Sequence, residues 1–243
     1  MGTERLQKIL SQCGYGSRRD CENLIAKNIV TVNGQTAKLG EKANPQTDDI
    51  RVNQEKIQFL HTPNTYIILN KPVDVLSDIK DSRGRKKVVD LVDYEAYLFI
   101  VGRLDYRSEG LILLTNDGEV ANRLTHPRYE HEKEYHVLIN KKPAYSQIQK
   151  WRNGVVLESG YKTLPANVKI HSTLKDEQIW LKIILKEGKK RQIRETGKVL
   201  GLNVERIIRT RIGPITLGNL EPGEWRHLSD QEIKDLKKSC SLN

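Results

Sequence analysis

The residues best suited to chemistry lie in one run, Val101-Gly102-Arg103-Leu104-Asp105-Tyr106-Arg107-Ser108-Glu109-Gly110-Leu111-Ile112-Leu113-Leu114-Thr115-Asn116-Asp117-Gly118. Two apolar segments, read as strands over 97–101 and 111–114, flank a short loop dense in charge. Asp105 sits in that loop between Arg103 and Arg107. Cations on both sides favour the ionised form of a carboxylate. An ionised aspartate beside a basic surface is a candidate nucleophile or base. A plainer role stays open, because loop aspartates most often close turns and make ion pairs. Glu109 is the nearest further acid in sequence. A glycosidase would need two acids paired around a sugar, and nothing in the sequence marks Glu109 as an acid of raised pKa.

A second constellation is Ser17-Arg18-Arg19 with Lys27 and Asn33-Gly34. Basic residues at a helix start, beside free backbone N–H groups, can hold phosphates. The spacing fits a solvated helix end equally well.

The elements that would position these residues follow from periodicity. Residues 4–13 place Leu6, Ile9 and Leu10 on one helical face. Gly14-Tyr15-Gly16 ends that helix. Ser17 stands three residues before Asp20, a capping-box spacing, and Cys21, Leu24 and Ile25 line the next helix. Strands are predicted at 29–32 and 50–52, with a hairpin at Asn33-Gly34, where both residues tolerate positive φ. A polar connector over 59–64 contains His61-Thr62-Pro63. Beyond it, strands are predicted at 66–69, 97–101, 111–114, 133–139, 155–157, 167–171, 179–185 and 204–211. Helices are predicted at 119–124, 144–151, 190–200 and 230–238, the last capped by Ser229. Strands come in runs rather than in strict alternation with helices. That predicts an α+β fold with a small unit over 1–60 and a larger one over 65–243, built on a mostly antiparallel mixed sheet.

Composition narrows the function classes. The 243 residues include 37% hydrophobic and 30% charged, which suits a soluble globular chain. No apolar run approaches the roughly 20 residues that span a bilayer. Residues 1–10 alternate charged and apolar types and do not read as a secretory signal. Cys13, Cys21 and Cys240 are odd in number and lack a CxxC pair, so packed thiols in a reducing, cytoplasmic setting are expected. Lys and Arg number 41 against 31 Asp and Glu, a net +10. The excess is clustered: nine basic against three acidic residues over 186–211, and five against one over 80–87. Clustered positive charge is what an RNA track requires. No zinc spacing, Walker loop or GxGxxG is present, and Gly188-Lys189-Lys190 lacks the upstream glycine of a phosphate-binding loop. No metal and no cofactor is expected.

Arg5-Leu6-Gln7-Lys8, Gly16-Ser17-Arg18-Arg19 and Val32-Asn33-Gly34 together resemble the S-four RNA-binding domain. The resemblance covers about 55 residues. It implies an αL-type surface that grips structured RNA, with Arg5, Ser17, Arg18, Arg19 and Lys27 as contacts. The run around Asp105 closely resembles the signature of pseudouridine synthases of the RsuA and RluB type. Further matching segments follow in order: Asn70-Lys71-Pro72, Asn122-Arg123-Leu124-Thr125-His126-Pro127, Lys133-Glu134-Tyr135, Pro165-Ala166, Glu187-Gly188-Lys189-Lys190-Arg191-Gln192-Ile193-Arg194, Arg211-Ile212-Gly213-Pro214 and Leu220-Glu221-Pro222-Gly223-Glu224-Trp225-Arg226.

The resemblance implies isomerisation of a uridine within ribosomal RNA to pseudouridine, with nothing added or lost. By it Asp105 is the catalytic carboxylate, Tyr135 stacks on the flipped base, and Arg194 pairs with Asp105. Lys71, Arg103, Arg107, Lys189, Arg191 and Gln192 are implied substrate contacts. The compact tail and the opening Glu4-Arg5-Leu6-Gln7-Lys8 favour the large-subunit (23S) branch over the small-subunit (16S) one. The partner expected is ribosomal RNA or a pre-ribosomal particle, not DNA or a membrane, with the chain acting as a monomer. One departure stands out: Glu195-Thr196 replaces the Arg-Met of many relatives, removing a cation and an apolar residue. A non-catalytic RNA-binding assembly factor is the competing class, and Asp105, Tyr135 and Arg194 together argue against it.

Overall fold

The computed structural model describes residues 2–58, 63–94, 97–174 and 178–242. His61 and Thr62 of the predicted connector lie outside the described residues. The chain forms two compact units, Met1–Asn64 with Glu95–Tyr97, and Thr65–Tyr94 with Leu98–Asn243.

The first unit contains β1 (Glu4–Arg5), α1 (Leu6–Gln12), α2 (Arg18–Ala26), β2 (Val30–Val32), β3 (Gln35–Thr36), β4 (Lys42–Ala43), β5 (Ile50–Val52) and β6 (Glu55–Lys56). The capping box forms. The Ser17 hydroxyl accepts from the Asp20 amide at 3.1 Å, and the Asp20 carboxylate accepts from the Ser17 amide at 3.0 Å. Asn33 (φ 51°) and Gly34 (φ 81°) turn β2 into β3, the geometry that the hairpin signal required. Leu6, Ile9 and Leu10 of α1 pack on Cys21 and Ile25 of α2 and on Val30 and Ile50 of the small sheet.

The second unit contains β7 (Tyr66–Lys71), β8 (Phe99–Val101), β9 (Glu109–Thr115), α3 (Gly118–Thr125), β10 (Lys133–Ile139), α4 (Tyr145–Asn153), β11 (Asn167–Thr173), β12 (Ile179–Leu185), α5 (Gln192–Val199), β13 (Val204–Ile212), β14 (Ile215–Thr216), β15 (Trp225–His227) and α6 (Asp230–Ser239). The main sheet runs β11-β12-β10-β13-β9-β7-β15, with β14 beside β13 and β8 beside β9. Among the pairings between the described strands only β9 with β13 is parallel. The fold is α+β on a mostly antiparallel mixed sheet.

Alternation along the strands separates two cores. Ile67, Leu69, Ile112, Leu114, Tyr135 and Val137 face one side, packed with Ile148 and Trp151 of α4 and Ile193 of α5. Tyr66, Ile68, Leu111 and Leu113 face the other, covered by Val120 and Leu124 of α3 and Leu236 of α6. β7 and β9 are therefore buried on both faces, which explains their unbroken apolar runs.

Three local expectations change. Residues 155–157 make only a single bridge, Val156 with Lys162, not a strand. The strand over 97–101 starts at Phe99. β15 was not foreseen, because Trp225-Arg226-His227 is short and polar and becomes a strand only by pairing with Leu69, Ile68 and Ile67. No helix among the described residues is long and apolar enough to cross a membrane.

Candidate active site

Asp105 lies in the turn between β8 and β9, whose antiparallel pairing sets Val101 opposite Leu113. The backbone of this turn is densely hydrogen-bonded. Arg209 donates to the carbonyls of Gly102 (3.3 Å) and Arg103 (3.4 Å). The Ser77 hydroxyl donates to Leu104 O at 2.8 Å and accepts from its amide at 3.1 Å. Asp105 O accepts from the Ser108 amide at 2.9 Å, and Tyr106 O from the Asp74 amide at 2.9 Å. Arg194 donates to Arg107 O at 3.1 Å, and Lys71 to Ser108 O at 2.7 Å. Every carbonyl from Gly102 to Ser108 thus has a donor. The Asp105 carboxylate, by contrast, has no hydrogen bond or ion pair among the described residues. A backbone so constrained fixes the point from which the unengaged carboxylate projects.

That carboxylate borders a cavity of about 350 Å³. Tyr135 of β10, Leu185 of β12, Ile207 of β13 and Ile193 of α5 supply its apolar wall, with Leu104 from the turn. Arg103, Lys189, Lys190 and Arg191 stand on its polar side. An apolar, partly aromatic slot ringed by cations suits a planar base carried on a phosphate backbone.

The predicted residues distribute differently from one another. Asp105, Tyr135, Arg103, Lys189, Arg191 and Gln192 all line the cavity. Arg103 and Arg191 are exposed, and neither side chain has a partner among the described residues. Arg191 holds a left-handed φ of 56° as it starts α5. The Lys189 ammonium rests 4.2 Å from the centre of the Tyr161 ring. Gln192 is buried and its amide is already used: it donates to Glu187 at 2.7 Å and accepts from the Lys189 amide at 3.2 Å. It shapes the wall rather than offering free donors.

Lys71 departs most from expectation. It is fully buried and absent from the cavity wall. Its ammonium donates to Pro72 O (2.8 Å), Tyr106 O (3.4 Å) and Ser108 O (2.7 Å). Burial pushes its pKa down to about 8, with Glu109, Asp74 and Asp105 opposing that and Arg209 adding to it. Arg107 also lies off the wall, paired with Asp74 at 3.2 Å.

The expected ion pair between Arg194 and Asp105 is not formed. Arg194 donates to Val204 O at 2.9 Å and to Arg107 O. Burial and Arg191 push its pKa down, while Asp105 acts in the opposite sense from a distance. Glu109 is held by Arg206 at 2.7 and 2.8 Å, which removes it as a second free acid.

The basic run over 186–211 is not one track either. Arg206 faces Glu109, Arg211 faces Glu132 and Glu134, Lys186 faces Glu130, and Lys198 faces Glu158. Over 80–87, Arg85 pairs with Asp81, and Lys87 with Asp90. Counting charges in sequence treats every residue as solvent-facing, and strands β12 and β13 are not. Residues missed by sequence reasoning are Ser77, Arg209, and the Glu187 carboxylate that ties Tyr161, Leu164 and Gln192 together. The Arg209-Thr210-Arg211 spacing placed Arg209 on a strand without showing that its face is covered.

In the first unit, Arg18, Arg19 and Lys27 are exposed, and their side chains have no partner among the described residues. Ser17 is committed to its cap, donating to Asp20 at 2.7 Å. The Arg5 guanidinium donates to Gly40 O at 3.1 Å.

Comparison with known proteins adds an independent finding. The family model described as RNA pseudouridylate synthase matches residues 65–197, more than half of the chain, and the S4 domain matches residues 4–49. A protein of Aquifex aeolicus (strain VF5) described as an uncharacterized RNA pseudouridine synthase is 39% identical, covering 98% of this chain and 95% of the relative. The ribosomal large subunit pseudouridine synthase B of Bacillus subtilis (strain 168) is 38% identical, covering 96% of each. A crystal structure described as a pseudouridylate synthase superposes with a TM-score of 0.69 at 28% identity, over 96% of this chain and 99% of that one.

Proposed function

Because this chain belongs to the RNA pseudouridylate synthase family, we propose that its substrate is a uridine of large-subunit ribosomal RNA and that Asp105 is the reacting group. The large-subunit assignment is supported by the Bacillus subtilis relative, which matches almost end to end. The isomerisation breaks the bond from uracil N1 to the ribose, turns the base, and joins C5 to the same ribose carbon. The C5 proton leaves and N1 gains one, so composition is conserved. In this reading the chain acts as a cytoplasmic monomer on ribosomal RNA or a pre-ribosomal particle.

One observation carries the assignment. The backbone around Asp105 is saturated with hydrogen bonds while its carboxylate is left unengaged at a cavity with an apolar wall and a cationic rim. A target base leaves its stack at a cost of about a few kcal/mol and enters beside Tyr135, whose ring stacks on it. Arg103 and Arg191 receive the flanking phosphates. Arg194 braces the turn through Arg107 O and adds positive potential at the carboxylate. In the first unit, Arg18, Arg19 and Lys27 grip structured RNA through its backbone.

The test is Asp105→Asn, which keeps the shape and removes the carboxylate. The expected result is no pseudouridine in large-subunit RNA, with RNA affinity unchanged. Undiminished product formation would remove Asp105 from the chemistry. Modification mapped to small-subunit RNA instead would overturn the subunit assignment alone.

A further inference from the structure

Arg209 is 1% exposed and heads the fully buried side chains by size among the described residues. Among the described residues no carboxylate lies within ion-pair distance of it. A buried cation without a counterion is costly to keep, so its hydrogen bonds need a reason. They run to one place. Nε donates to Leu111 O at 2.8 Å, and the two terminal nitrogens donate to Arg103 O and Gly102 O. On the opposite side, the register of β10 with β13 sets Arg209 directly across from Tyr135; burial pushes the guanidinium's pKa down and Tyr135 opposes that shift.

Its position in the sheet adds to this. β9 carries the Asp105 turn and β10 carries Tyr135, and β13 lies between them. The β9–β13 pairing is only two residue pairs long, Ile208 with Glu109 and Arg209 with Gly110. Backbone contact there is close: a Cβ on Gly110, at φ 102°, would stand 2.3 Å from Arg209 O. So short a ladder holds the two halves of the site together at one point, and the Arg209 side chain extends that hold to the turn.

Resting on the reading of Asp105 and Tyr135 above, we infer that Arg209 is a positioning residue for the isomerisation, fixing the Asp105 turn relative to the strand position that faces Tyr135. It does not line the cavity and touches no substrate. A planar fork of five donors holds three carbonyls in one fixed geometry, which a compact, freely rotating ammonium does not. The charge also stands behind the reacting centre in a dry setting, where fixed dipoles and charges act most strongly.

The experiment compares Arg209→Lys, which keeps the charge, with Arg209→Met, which keeps bulk and removes charge and donors. Both are assayed on a large-subunit rRNA transcript alongside the unaltered protein. Misplacement of a reacting group by about 1 Å is enough for a loss of about 100-fold. The expected result is therefore a kcat about 100-fold lower in Arg209→Lys and lower still in Arg209→Met, with KM and RNA affinity within about twofold. The second readout is the 13Cζ resonance of Tyr135 among the nine tyrosines, identified by its loss in Tyr135→Phe. It shifts in Arg209→Lys while the resonances of the N-terminal unit stay in place. An unchanged kcat with an unmoved Tyr135 resonance overturns the inference. So does a raised KM at unchanged kcat, which would put Arg209 in RNA binding, or loss of the folded state in both variants, which would make it purely structural. If the unaltered protein leaves the transcript unmodified, the functional reading fails instead, and the resonance still decides whether Arg209 positions Tyr135.

Discussion

Cations stand in two contrasting settings, the exposed arginines of the first unit and the buried pair beside the Asp105 turn of the second. In the first, Arg18, Arg19 and Lys27 stand in water with no partner among the described residues. In the second, Lys71 and Arg209 are buried, with their donors on the carbonyls of the Asp105 turn. An exposed cation keeps its hydration until a phosphate arrives, so it contributes affinity that salt can screen. A buried cation has already lost its water and is held by carbonyl dipoles. It contributes rigidity and a fixed field, which act on rate rather than on affinity.

The sharpest way to break this comparison is Lys71→Met. If the buried cation serves position, kcat falls by about 100-fold while RNA affinity stays within about twofold. A measured loss of affinity at normal single-turnover rate would return Lys71 to substrate binding. The complementary test is Arg18→Ala with Arg19→Ala. Two phosphate contacts fewer should lower the slope of log affinity against log salt by about 1.5 and weaken binding by about tenfold at low salt. The rate at saturating RNA should be unchanged. An unaltered slope in titrations across salt concentrations would make these arginines a solvated helix end.

The smallest expected effect is on stability against pH, where the units should move in opposite directions. Burial depresses Lys71 and Lys133 from 10.5 to about 8. Their contribution is complete above 10.5 and is lost as pH falls through about 8, so between those values they make the second unit more stable as pH rises. Burial raises the Cys13 and Cys21 thiols from 9.0 to about 11. Their contribution is complete below 9.0 and is lost as pH rises through about 11. Between pH 9 and 10.5 the first unit should therefore weaken while the second gains. Trp151, Trp180 and Trp225 all belong to the second unit. Their fluorescence melts should rise by roughly 2–4 °C relative to a Lys71→Met, Lys133→Met control, while amide exchange in α1 and α2 accelerates. Parallel movement of both signals would contradict the contrast.

Much of the scaffold was legible from periodicity. β10 and β12 fall on the residues their alternation marked, and the caps at Ser17 and Ser229 form as their spacing requires. Local signals suffice there because a cap or a hairpin involves only a few neighbouring residues. β15 was illegible because its partner, β7, lies about 150 residues away in sequence. Residues 155–157 failed as a strand because apolar content supplies no ladder partner by itself.

By itself the sequence determined which carboxylate to watch and that the chain carries a small RNA-binding unit and a larger catalytic one. Ordered motifs preserve residue types along the chain, and those types fix what chemistry is available. Only the tertiary structure decided where the cations point. A period of two assigns a strand residue to a face, yet whether that face meets water or another strand depends on pairing distant in sequence. That is why Lys71 lies buried on the carbonyls of the Asp105 turn, why four cations of the run over 186–211 are taken up in ion pairs while Lys189, Lys190 and Arg191 border the cavity, and why Arg209 lies on the strand between the Asp105 turn and β10.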